Sequence, residues 1–94
     1  MSDALRAQVD VVVVNELGLH TRPAKEFVQT ANRFGADVGV SKGGAAVNGK
    51  SIMGLMSLLC PQGTRLTITA VGADAAEAVR ALAEVVSKRF REVE

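Results

Sequence analysis

Residues 65–86 read RLTITAVGADAAEAVRALAEVV, and the spacing of their apolar side chains changes period halfway along. Leu66, Ile68 and Ala70 alternate with Arg65, Thr67 and Thr69, the pattern of a half-buried strand with one wet face. Beyond Gly72, residues Ala75, Ala78, Val79, Leu82, Val85 and Val86 recur at helical spacing as one stripe, while Arg80, Glu84, Lys88 and Arg91 fall largely elsewhere. Asp74 stands where that helix starts, and Glu77 three residues later completes a capping-box-like pair.

The same reading extends towards the N-terminus. Val9 to Val14 is short and rich in β-branched residues, bounded by Asn15, Glu16 and Gly18, so it predicts a first strand. Ala24, Phe27, Val28 and Ala31 predict an amphipathic helix, with Pro23 near its start and Gly35 just past its end. Val38 and Val40 alternate with Asp37, Gly39 and Ser41. Lys42-Gly43-Gly44 then turns the chain into Ala45 to Val47, and Asn48-Gly49 turns it again. Ser51 is a good N-cap for a helix of about two turns over Ile52 to Leu59, closed by Pro61 and Gly63. The order strand, helix, strand, strand, helix, strand, helix, with one apolar face per strand, suits an antiparallel sheet with helices packed on one side.

Composition narrows the function. Ninety-four residues predict a single domain over 1–94, and with three Phe as the only aromatic residues its core must be aliphatic. Eleven basic side chains against ten acidic ones leave no general footprint for nucleic acid or for an acidic membrane surface. Cys60 and His20 are each the sole residue of their kind, which excludes an internal disulfide and a Cys/His metal cluster. No cofactor is expected. The opening residues lack a leader pattern, and Val11 to Val14 is far shorter than the ~18 residues of a membrane span, so a cytoplasmic protein is expected.

Two segments carry chemistry. In Gly18-Leu19-His20-Thr21-Arg22-Pro23-Ala24 the histidine sits in the loop just before a helix. N–H groups at a helix N-terminus have no intrahelical partner and, with the helix dipole, make an anion site. Imidazole, with an unperturbed pKa near ~6.5, is largely a neutral nucleophile at cytosolic pH, and Arg22 adds a planar donor fork for phosphate oxygens. An isolated exposed histidine commonly does nothing; here nucleophile, guanidinium and helix end coincide within a few residues behind a glycine.

The second segment is Asn48-Gly49-Lys50-Ser51-Ile52-Met53-Gly54-Leu55-Met56. Ser51 serves as an N-cap whatever else it does, and a phosphoserine there would place roughly −1.5 to −2 charges where the dipole tolerates them. The helix after it is apolar around nearly its whole circumference, which a small domain rarely buries entirely; Met suits surfaces that adapt to partners. The alternative is that a close-packed core absorbs these side chains. Gly44 to Ser51 also satisfies the P-loop pattern, but no buried strand precedes it and no magnesium-holding acid follows another apolar strand.

With both segments in view, the chain from about Gln8 to Phe90 resembles HPr, the family of histidine-containing phosphocarriers of the bacterial phosphoenolpyruvate-dependent phosphotransferase system. Gly18 to Ala24 matches the family's phosphorylation site, and Lys50-Ser51-Ile52-Met53-Gly54-Leu55-Met56-Ser57-Leu58 its regulatory-serine segment. The resemblance implies an α+β open-faced β-sandwich, a four-stranded antiparallel sheet with three helices on one face. It implies a non-enzymatic carrier phosphorylated on His20 through Nδ1, with Arg22 beside the phosphoryl group and Ser51 the target of an ATP-dependent kinase. Thr21, Arg22, Lys25, Ile52, Met53 and Met56 would form the docking surface. Implied partners are enzyme I as donor, EIIA-type domains as acceptors, and an HPr kinase/phosphorylase with transcriptional regulators; a monomer is expected. Leu17 departs from relatives that carry a small polar residue there. A second reading is a binding module regulated mainly through Ser51.

Overall fold

In the computed structural model, which describes residues 5–93, Val9 lies opposite Ile68, Ile68 opposite Val40, and Val40 opposite Val47. That apolar row crosses four strands: β1 (Arg6–Val12), β4 (Arg65–Val71), β2 (Asp37–Lys42) and β3 (Ala45–Asn48), in that spatial order and antiparallel at every pairing. Because side chains alternate along a strand, the row and its period-two neighbours share one face. Val38, Val40, Leu66, Ile68 and Ala70 on that face are buried, while the opposite face is lined by polar groups, among them Thr67, whose hydroxyl donates to the Asp10 carboxylate at 2.7 Å.

Helices α1 (Thr21–Ala31), α2 (Ile52–Ser57) and α3 (Ala75–Glu84) complete the fold. The α+β class, the four-stranded antiparallel sheet and the three helices expected from the sequence are present. The core is aliphatic apart from Phe27 and Phe90, both essentially without exposure. No helix among the described residues is long and apolar enough to cross a membrane.

The element ends differ from expectation for local reasons. β1 runs from Arg6 to Val12 rather than from Val9 to Val14; beyond it Val13 still exchanges backbone hydrogen bonds with Thr64 and Gly63, at 2.9 and 2.7 Å, where β4 has not begun. Lys42 is the last residue of β2, leaving Gly43-Gly44 as the hairpin, with Gly43 at φ +59°. α2 ends at Ser57, before Leu59 enters the left-handed region at φ +55°.

Two corrections concern α3. Asp74 occupies its N-cap position, yet its carboxylate makes no cap bond; each oxygen instead accepts a backbone N–H, from Gly35 and from Ala36, both at 2.9 Å. The capping-box pair is therefore replaced by a tie to the end of the α1–β2 loop. Beyond Glu84 the helix continues through a π-helical stretch, Val85–Arg89, into a last turn, Phe90–Glu92. The Phe90 N–H reaches back five residues to the Val85 carbonyl. This wider turn offsets the rotation that α-winding adds at every four-residue step, so that Val86 and Phe90 both face the core fully buried.

Candidate functional site

His20 is the N-cap residue of α1, in extended backbone conformation (φ −100°, ψ −170°), and its side chain makes no capping bond. Its carbonyl accepts the Ala24 N–H at 3.0 Å, so the backbone starts the helix while the imidazole stays free of it. Among the described residues the Thr21 and Arg22 N–H groups have no hydrogen-bond partner, and Pro23 has none to satisfy. No acidic side chain occupies the first turn of α1. The helix end is thus an unneutralised positive pole beside the histidine.

The loop that delivers His20 is built by residues on both sides of it. Asn15 is only 1% exposed; its Nδ2 donates to the Gly18 carbonyl at 2.6 Å, and the Gly18 N–H donates to the Asn15 carbonyl at 3.2 Å. Gly18 has φ +75°, and a Cβ there would collide with the Cys60 carbonyl oxygen. That carbonyl accepts the Leu19 N–H at 2.8 Å, which fastens the loop to the segment after α2. Burial pushes the Cys60 thiol above its ordinary pKa of 9.0, outweighing the opposing charge of Lys42, so it stays protonated and inert at neutral pH.

The histidine ring presents two unlike nitrogens. Nε2 is enclosed and has no hydrogen-bond partner, while the residue as a whole is half-buried. Thr21, Arg22 and Lys25 are exposed, and Arg22 and Lys25 form no ion pair among the described residues. Glu26, the only acid of α1, is held by Arg89 at 3.3 Å. Hydrogen bonding to Glu92, then the charge of Glu26, raises the Arg89 pKa. The cations around His20 are left uncompensated by their own helix.

α2 packs against α1 and extends this face. Ser51 is its N-cap, with the hydroxyl accepting the Gly54 N–H at 3.0 Å, as the sequence suggests. Its neighbour Lys50 sends its ammonium to the Phe34 carbonyl at 2.8 Å. Met53 is 83% exposed and Ile52 is exposed, whereas Met56 is half-buried against the core and Leu55 and Leu58 are buried. Sequence reasoning missed the exposure of two leucines and the role of one asparagine. Leu59 and Leu17, at 75% and 64% exposure, add apolar surface on either side of the histidine loop. Asn15 shapes that loop from inside; its only sequence signal was an amide just before a glycine turn. The P-loop lookalike, residues 44–51, is spent on the hairpin, β3 and the following turn and cradles nothing.

Known proteins resemble this chain in sequence and in fold. The sequence model of the family described as "PTS HPr component phosphorylation site" matches residues 7–88. The chain is 46% identical over 84 residues to the phosphocarrier protein HPr of Neisseria meningitidis serogroup A, covering 89% of this chain and 94% of that protein. Among solved structures, an HPr from Thermoanaerobacter tengcongensis matches with a TM-score of 0.86 at 43% identity, over 89% of this chain and 94% of that one. A phosphocarrier protein HPr from Bacillus anthracis matches with a TM-score of 0.82 at 52% identity, over 86% and 96%.

Proposed function

The chain belongs to the HPr family of phosphotransferase-system phosphocarriers, and on that footing we propose that His20 accepts the phosphoryl group through Nδ1. A phosphocarrier is a substrate of its partners and not an enzyme. The observation that carries the assignment is the histidine at the α1 N-terminus, with Nε2 enclosed and the first-turn N–H groups free.

The lone pair of neutral Nδ1 attacks the phosphorus of a phosphohistidine on enzyme I while Nε2 keeps its proton. The new N–P bond forms as the donor's N–P bond breaks, and the donor imidazole leaves with that electron pair. Little covalent help is needed; positioning and charge stabilisation dominate such transfers. The Thr21 and Arg22 N–H groups and the Arg22 guanidinium supply that stabilisation. The reverse geometry serves donation to an EIIA-type domain. Lys25, Ile52, Met53 and the exposed part of Met56 form the rest of the docking face.

Incubation with phosphoenolpyruvate and enzyme I should give an acid-labile label on wild type and none on His20→Ala. Label retained by the mutant would refute the assignment. The N-cap placement of Ser51 beside Met53 favours a second, compatible role: phosphorylation there by an ATP-dependent kinase would set the output of the docking face. A serine kinase with ATP, in the absence of enzyme I, should label wild type and spare Ser51→Ala.

A further inference from the structure

Lys42 closes β2 and sends its ammonium across to the end of α2, where it donates to the Leu58 carbonyl at 3.0 Å and the Leu59 carbonyl at 2.7 Å. It does so at an awkward point in the chain. Leu59 is the sole non-glycine residue with positive φ among the described residues, at +55°. A glycine enters that conformation freely, whereas a leucine is held there by its surroundings. The last carbonyls of a helix also lack intrahelical partners and carry the negative pole. One flexible ammonium with three donors answers both needs.

The next residue is Cys60, whose carbonyl accepts the Leu19 N–H at 2.8 Å and is approached closely only because residue 18 is glycine. The His20 N–H in turn donates to the Gly18 carbonyl at 3.0 Å. A run of hydrogen bonds and peptide links therefore leads from the Lys42 ammonium, through Leu59 and Cys60, to Leu19 and His20. Nothing in that run is a contact between Lys42 and the imidazole.

We infer that Lys42 is a positioning residue for phosphoryl transfer: by locking the turn after α2, it fixes the carbonyl from which the His20 loop hangs. The inference rests on the reading of His20 as phosphoryl acceptor. In-line transfer depends steeply on where the attacking nitrogen sits, and a displacement of about 1 Å costs up to ~10²-fold in rate. Loss of the ammonium leaves two carbonyls unpaired and Leu59 free to relax, which moves the Cys60 carbonyl first.

The test compares wild type with Lys42→Met, Lys42→Arg and Lys88→Met in two measurements: the rate of transfer from phospho-enzyme I across carrier concentrations, and hydrogen exchange at individual amides. Lys42→Met should transfer about tenfold more slowly at saturation with an unchanged half-saturation concentration, and its Leu19 amide should exchange about tenfold faster while β4 amides keep their protection. Lys42→Arg, which retains charge and donors, should return both to within about twofold. Lys88→Met removes the same charge from an exposed helix face and should match wild type. An unchanged saturating rate or an unchanged Leu19 amide in Lys42→Met overturns the inference. So does a loss confined to half-saturation, which would mark a docking role, or faster exchange throughout the sheet, which would mark a merely structural one. Absence of transfer to wild type itself refutes the His20 reading, and the positioning role with it; the wild-type measurement alone tells that failure from one at Lys42.

Discussion

Gly18 and Arg22 stand on either side of His20, and substitution of each should slow transfer while only the first should cost stability. A methyl group at position 18 meets the Cys60 carbonyl and is forced into φ +75°. Gly18→Ala should therefore lower stability by about 2–4 kcal/mol in urea titration and also slow phosphoryl transfer, since the loop must move to relieve the clash. Arg22→Ala should leave the urea midpoint almost unchanged, because an exposed, unpaired guanidinium contributes under about 1 kcal/mol to folding, yet slow transfer at least tenfold. At this scale the sequence was informative where placement follows from residue type and immediate neighbours, as for His20 at the start of α1 and Ser51 as the cap of α2. Asn15 was opaque because its role depends on being buried at 1% exposure, and burial is decided when residues 60 and 61 close over the loop.

The elements show how one side chain can serve either its own helix or a distant one. Ser51 caps α2 directly, so replacement by Asp keeps an acceptor for the Gly54 N–H and adds charge where the helix dipole favours it. Ser51→Asp should melt within a few degrees of wild type but take phosphate from enzyme I several-fold more slowly, because a partner suited to Arg22 and Lys25 presents acidic groups. The mimic is partial, carrying about one charge against roughly −1.5 to −2 on phosphoserine. Asp74 behaves differently: its carboxylate holds Gly35 and Ala36, so Asp74→Ala should cost about 1–3 kcal/mol in a denaturant melt and raise exchange at those two amides ahead of the first turn of α3. The position of Asp74 at a helix start was legible. Its choice of partner was not, since the alternative donors lie nearly forty residues away and compete on equal terms with the helix's own N–H groups.

For the whole molecule, the period of the apolar residues was enough to assign the strands, the helices and the open face of the sheet. It carried no information on the winding of the C-terminal helix. The observed π-turn buries Val85, Val86 and Phe90 alike, and the apolar spacing that an α-helix would also show does not announce it. Phe90 is fully enclosed, and Phe90→Ala should remove about 3–5 kcal/mol from the unfolding free energy measured in urea, a large share of what a domain of this size holds. A smaller loss would mean that the surroundings of Phe90 close over the space.

The spatial order of the strands also sets a timetable for synthesis. β1 is made first, yet its sole strand partner is β4, so Val9 waits for Ile68. At about 5–20 residues per second, the ribosome needs several seconds to supply that partner, and during that interval Val9, Val11 and Val13 have no sheet to join. The β2–β3 hairpin needs no later strand, but the sheet becomes complete only when β4 slides between that hairpin and β1. A ribosome stalled before residue 65 would hold a chain whose first strand lacks its only sheet partner.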